Sequence, residues 1–184
     1  MKRILFSLIL LIATSPIFLL KAQTIKVDSC DFFDTVVNNH NQIFQMSCIP
    51  SAIEMILKYY NVVDFDFYDL QNEWKDKADG SFHNFDKKEL YGITFFQKFV
   101  LPRDENFPID SLFQTIENEL KSDKKVIISL PADTGWHMFI ICKQTPDGEF
   151  VSYSKLGSHT LVLRNTKEIV RKSNGTEIMT YSIP

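Results

Sequence analysis

Several things are scarce in this sequence, and each scarcity excludes a class of protein. Cysteine occurs three times in 184 residues, too few and odd in number for a small disulfide-stapled scaffold. Six glycines and seven prolines exclude a collagenous or low-complexity chain. Basic residues are not in excess. Lys and Arg number 20 against 23 Asp and Glu, a net charge of −3, so there is no global basic field for gripping nucleic acid. The four histidines show no His-x-His or His-Glu-x-x-His spacing, which leaves a metal site without sequence support, and no cofactor is implied. After Leu20 no second long apolar run follows, so membrane contact is expected only through the N-terminal segment. What the chain does have is 45% hydrophobic residues and 16 Phe, enough for the core of one domain.

The first residues read as an export signal. Met1-Lys2-Arg3 is a short basic start, Ile4 to Leu20 is apolar, and Leu20-Lys21-Ala22 precedes Gln23. This pattern predicts a signal peptide over 1–22, cut after Ala22, and a mature protein that is periplasmic or secreted. Losing Lys2, Arg3 and Lys21 lowers the basic count from 20 to 17 against 23 acidic residues, a net −6. The remainder, 23–184, shows no internal repeat and no Ser/Gly linker, and is expected to be a single domain.

Along that domain, Gln23 to Phe44 mixes acids with apolar residues and reads as a leading loop with at most a short strand. From Cys48 to Tyr60 the apolar residues cover more than one helical face, which predicts a largely buried helix with Pro50 in its first turn. A second helix is expected over Phe65 to Asp76, with the acids from Asp64 to Asp69 on its solvated face. A loop follows over Lys77 to Glu89, then a helix capped by Asp110 and running to about Lys121. The period then changes from helical to extended. Strands are expected at Lys125–Leu130, Trp136–Cys142, Phe150–Tyr153, Thr160–Leu163 and Glu177–Tyr181, with hairpin turns at Pro146-Asp147-Gly148 and Asn174-Gly175. Helices first and an antiparallel sheet afterwards define an α+β domain, with chemistry expected where the buried helix meets the sheet.

Cys48 is the residue that calls for a chemical explanation. It stands at the predicted start of the buried helix, where unpaired N–H groups and the macrodipole favour an anion and lower a thiol pKa. A thiolate nucleophile also needs a base and an oxyanion donor. Gln42 lies six residues earlier, and His137 opens an apolar strand behind Gly135-Trp136. Gln45 also precedes Cys48 and competes with Gln42 for the donor role. Cys142, inside a strand, reads as core and Cys30 as partly exposed, and a disulfide between them is open to an exported protein. His40, His83 and His159 stand in polar segments and read as surface residues.

The run Gln42-Ile-Phe-Gln-Met-Ser-Cys48-Ile-Pro-Ser-Ala-Ile-Glu-Met-Ile-Leu-Lys-Tyr-Tyr60 resembles the nucleophile segment of papain-like bacterial cysteine peptidases. It is most similar to the double-glycine-leader (bacteriocin-processing) peptidases and their stand-alone relatives. Their pattern is a Gln, five residues, Cys-Gly-Pro and a helix ending in Tyr-Tyr, followed by a helix, a strand and a His heading an apolar strand. Ile116 to Leu120, Val126 to Pro131 and His137-Met-Phe-Ile-Ile141 stand in those places here.

The resemblance implies a papain-like fold and hydrolysis of a peptide bond through a thioester on Cys48. In it His137 is base and acid, and the Gln42 side chain with the Cys48 N–H forms the oxyanion hole. The family's glycine after the nucleophile is Ile49 here, and the place of its His-orienting Asp or Asn falls on Ser154. Two other classes stay open. One is a papain-fold binding or inhibitory module that has lost turnover, the other a thiol acyltransferase on the same scaffold. The partner implied is a peptide or protein substrate.

Overall fold

A computed structural model describes residues 29–77, 81–133 and 135–184. The expected signal peptide over 1–22 and the side chain of Cys30 lie outside what is described. The first described element is helix α1 (Ser29–Asn38), and α2 (Cys48–Tyr59) and the one-turn α3 (Asp69–Asn72) come next. A 3₁₀ turn (Phe82–Phe85) leads into the hairpin β1 (Glu89–Leu90) and β2 (Ile93–Lys98). Then come α4 (Ile109–Lys121), β3 (Val126–Ala132), β4 (Gly135–Gln144), β5 (Phe150–Leu156), β6 (His159–Leu163), α5 (Thr166–Lys172) and β7 (Ile178–Ser182). The strands form one sheet in the order β1-β2-β7-β3-β4-β5-β6, antiparallel at each pairing. The domain is α+β.

Side chains alternate across the sheet, and each face acquires its own helices. On one face Ile127, Met138, Ile140 and Tyr181 pack with Phe33 of α1 and with Ile49, Ile53, Ile56 and Leu57 of α2. On the other, Ile128, Leu130, Phe139, Ile141 and Phe150 pack with Leu112, Phe113 and Ile116 of α4 and Val170 of α5. Helix α2 is buried along almost its whole length, each large aliphatic side chain contributing about 1.5–3 kcal/mol. That fixes the helix whose first residue is Cys48.

Several expectations need correction. The leading segment contains α1, because Phe33, Val36 and Val37 lie on one helical face and are buried while Asp31 and Thr35 take the solvent side. The helix expected over Phe65 to Asp76 shrinks to α3 with flanking turns, and the exposed acids Asp64 and Asp66 lie on a turn. Helix α4 starts at Ile109 behind Pro108, so Asp110 sits in its first turn without capping it. Strand β2 was not expected, and neither was α5. Asn174-Gly175 therefore terminates α5 where a hairpin turn was expected. Gly175 N–H bonds the Val170 carbonyl at 3.0 Å, its φ is +107°, and a Cβ there would overlap the Phe107 ring, so only glycine fits this helix end.

One irregularity positions the site. β4 pairs with β3 along its whole length, down to Gly135↔Ala132. Its pairing with β5 stops at Ile140↔Tyr153, whereas β5 stays on β6 as far as Leu156↔His159. The sheet forks, with 135–139 following β3 and 154–156 following β6.

Candidate active site

A cavity of about 730 Å³ occupies the fork. The turn before α2 reaches it with Met46 and the helix start with Cys48, β4 supplies Trp136, His137, Met138 and Phe139, and β5 and β6 add Leu156, Leu161 and Leu163. Cys48 and His137, far apart in sequence, line one space.

Cys48 is a free, half-buried thiol. Burial pushes its pKa up, and the N–H groups of Met138, Ile49 and Cys48 itself oppose that by facing the sulfur. The helix start was expected to lower the thiol pKa. Here desolvation outweighs the helix, so the correction is one of sign.

His137 is also partly buried, and burial holds its imidazole below the ordinary value, opposed by the Lys155 backbone. The Ser154 hydroxyl lies 2.7 Å from His137 Nε2 and donates its single proton to the Met138 carbonyl at 2.5 Å. Its oxygen therefore accepts from Nε2–H, which leaves Nδ1 as the basic nitrogen of the neutral ring. Phe139 meets the imidazole edge-on at 5.4 Å. Ser154 sits in the crotch of the fork, where it ties β5 to β4 after the ladder has ended.

Gln42 does not present a donor to the cavity. It is 6% exposed, and its amide nitrogen bonds the carbonyls of Phe44 and Gln45, both at 2.9 Å. What remains is Oε1, buried and without a partner among the described residues, and an acceptor cannot stabilise an oxyanion. The physical reason is local: the 42–47 loop closes on its own carboxamide. Gln45 and Met46, by contrast, do line the cavity.

His83 and His159 are exposed, but His40 is not. It is fully buried behind α2, stacked on Tyr68 at 5.2 Å. Its Nδ1 accepts from Lys58 Nζ at 2.8 Å and its Nε2 meets Ser51 Oγ at 3.0 Å. Burial, then the charges of Lys58 and Lys155, lower its pKa to about 2. Burial also raises Glu54 to about 7 and lowers Lys58 to about 8. Gln71 joins this cluster to the loop before Cys48. Its amide nitrogen bonds Asn41 O at 3.0 Å and Glu54 Oε2 at 2.7 Å, and its Oε1 accepts from Ile43 N at 2.8 Å and Ser47 Oγ at 2.7 Å. Sequence reasoning missed this clamp. The available signal was Glu54 and Lys58, one turn apart in an otherwise apolar helix.

At the cavity rim the Arg103 guanidinium lies 3.7 Å over the Trp136 ring and 3.7 Å from Glu177. Cys142 is buried as expected and is disulfide-bonded. Among the described residues no three His, Cys, Asp or Glu side chains group as a metal site, and no helix is long and apolar enough to cross a membrane.

No family model, curated protein or solved structure matches this chain. The functional reading therefore rests on the geometry of the fork and on the residues in it.

Proposed function

We propose that this chain is an exported thiol hydrolase of papain-like fold, cleaving a peptide bond through an acyl-enzyme on Cys48. One observation carries the reading: a free thiol at a helix start shares a cavity with a histidine whose Nε2 is held by Ser154. The order of the parts supports the fold. A cysteine-headed buried helix packs on an antiparallel sheet, and the histidine and its acceptor lie on consecutive strands. Export is supported by the N-terminal pattern and by the disulfide at Cys142.

In this mechanism Nδ1 of His137 takes the Cys48 proton as the sulfur attacks the scissile carbonyl. The new C–S bond forms while the carbonyl electron pair moves to oxygen. Collapse of that intermediate expels the amine, which receives its proton from the His137 imidazolium. Water, deprotonated by His137, then attacks the thioester, releasing the carboxylate and restoring the thiol. Burial raises the thiol and lowers the imidazole, so the resting pair is neutral and proton transfer accompanies attack.

The test is stoichiometric acylation by p-nitrophenyl acetate, with the adduct located by mass spectrometry. The reading requires a thioester on Cys48 and its loss in Cys48→Ala and His137→Ala. A folded wild type that never acylates at Cys48 overturns it. The neutral resting thiol and the inward-turned Gln42 favour a second reading, a binding module on the same scaffold. It predicts equal peptide affinity in wild type and Cys48→Ala without turnover. Release of an acylated amine, read by product mass, would make the enzyme a transferase instead.

A further inference from the structure

With the Gln42 amide committed to the loop, the donor that the resemblance implied is withdrawn, and the hydrolase reading needs another beside the Cys48 N–H. We infer that the backbone N–H of Met138, set free by the fork, is that donor. This rests on the proposed function and replaces the residue that sequence reasoning assigned to the role.

In an antiparallel pair, facing residues either exchange both of their backbone bonds or exchange neither. Ser129 faces Met138 across β3 and β4. The Ser129 N–H bonds the Glu177 carbonyl at 3.3 Å, and its own carbonyl accepts from the Thr176 hydroxyl, so both its groups point toward β7. Ser129 and Met138 are thus a pair that exchanges no bonds, and the N–H and C=O of Met138 point the other way, toward β5.

Had the β4–β5 ladder continued, a β5 carbonyl would have taken that N–H. It stops at Ile140↔Tyr153, and beyond the stop Ser154 takes only the Met138 carbonyl. The N–H is left facing the cavity from a residue that is 5% exposed. A buried N–H needs a partner, and the group in front of this one is the Cys48 sulfur. The α2 start brings the Cys48 and Ile49 N–H groups to the same atom. A carbonyl carbon bonded to that sulfur holds its oxygen two bonds from the sulfur, within reach of donors already directed there. Being backbone, the donor is fixed before substrate arrives, and no side-chain substitution except proline removes it.

The experiment replaces the Met138 amide nitrogen by oxygen, using the α-hydroxy acid at position 138, in the full-length protein. The same replacement at Ile141, which faces β3 and lies outside the cavity, is the control for a weakened strand. Two readouts are taken: the pH midpoint of Cys48 alkylation by iodoacetamide, and the acylation burst with p-nitrophenyl acetate. The expected result is a midpoint raised by about one pH unit, a tenfold smaller thiolate population, with a burst about 10²-fold slower. The Ile141 ester should match wild type in both. If the Met138 ester keeps the wild-type midpoint, or acylates as fast as the Ile141 ester, the inference is overturned. A wild type that alkylates but never acylates would instead overturn the hydrolase reading, and the midpoint comparison still decides whether this N–H serves an anion on Cys48.

Discussion

Ser154→Ala tests the fork most directly, because one hydroxyl performs two tasks there. It is 3% exposed, donates to the Met138 carbonyl at 2.5 Å and accepts from His137 Nε2 at 2.7 Å. Alanine takes this bond from both partners and leaves the imidazole only the Lys155 backbone. An abandoned buried polar group costs about 1–3 kcal/mol. Two of them, each with some access to cavity water, imply a loss of about 2–4 kcal/mol, which a domain of ordinary stability survives. Urea unfolding of wild type and variant measures it. The chemical consequence is separate. Without its acceptor the protonated ring is stabilised less than the neutral one, so the His137 pKa should fall further below its ordinary value. The acidic limb of the acylation rate should then move to lower pH. The maximal rate should drop about tenfold or more, part of the roughly 10²–10⁴-fold that a positioned base supplies. Ser154→Thr, which restores the hydroxyl, should recover the limb. A variant that loses stability while keeping both the limb and the maximal rate would refute the orienting role. One that loses neither would refute the fork geometry.

Three further outcomes follow from the same structure. The folded state keeps His40 neutral down to about pH 2, whereas the unfolded chain protonates it below about 6.5, so its contribution is lost as pH falls below 6.5. Glu54, raised to about 7, acts in the opposite sense between about 4.5 and 7, because there the folded state holds the proton. The two cancel in wild type from about pH 4.5 to 6.5. Relative to wild type, Glu54→Gln should therefore lose about 1.4 kcal/mol per pH unit on acidification through that window, read from urea midpoints at a series of pH values, and parallel curves would refute the assignment. Gln71→Ala removes three side-chain bonds that hold the loop before Cys48 and one to Glu54. It should cost about 3–5 kcal/mol and raise the alkylation rate of Cys48 in the still-folded protein, and an unchanged rate would mean that the loop holds itself. Gly175→Ala combines an unfavourable positive φ with overlap on Phe107. It should destabilise by about 2–4 kcal/mol, seen as a lowered urea midpoint with unchanged slope.

The parts of the fold that were legible from sequence are those where periodicity and burial coincide. Helix α2 carries apolar residues on more than one face and is buried along almost its whole length, and β3 and β4 form a hairpin in register over their whole length. Legibility failed where one residue type served two purposes. The polar residues of α1 look like loop residues until the helix turns Asp31 and Thr35 to solvent behind Phe33, Val36 and Val37. The Asn174-Gly175 pair is a hairpin signal, yet the same positive-φ tolerance suits the end of α5, and only the ring of Phe107 decides between the two uses.

At the site, composition could nominate Cys48, His137 and Ser154, since each is a side chain with the required chemistry. It could not reveal that Gln42 spends its amide on Phe44 and Gln45. Nor could it reveal the Met138 N–H, because every residue except proline carries one, and only the end of a ladder makes one of them special. That end is decided by Ser154. A strand pair held by backbone bonds alone would continue and bury the N–H of residue 138 in a β5 carbonyl. A short hydroxyl that binds the Met138 carbonyl through its side chain holds β5 near β4 without the ladder, and leaves the opposing N–H for an anion. An Asp or Asn in that place would orient His137 as well as Ser does, or better. Neither is small enough to sit within 2.5 Å of a strand carbonyl and 2.7 Å of the imidazole without pushing the two strands further apart. The departure at position 154 is on this reading the condition for the fork, and the stability cost and pH shift of Ser154→Ala measure its two halves separately.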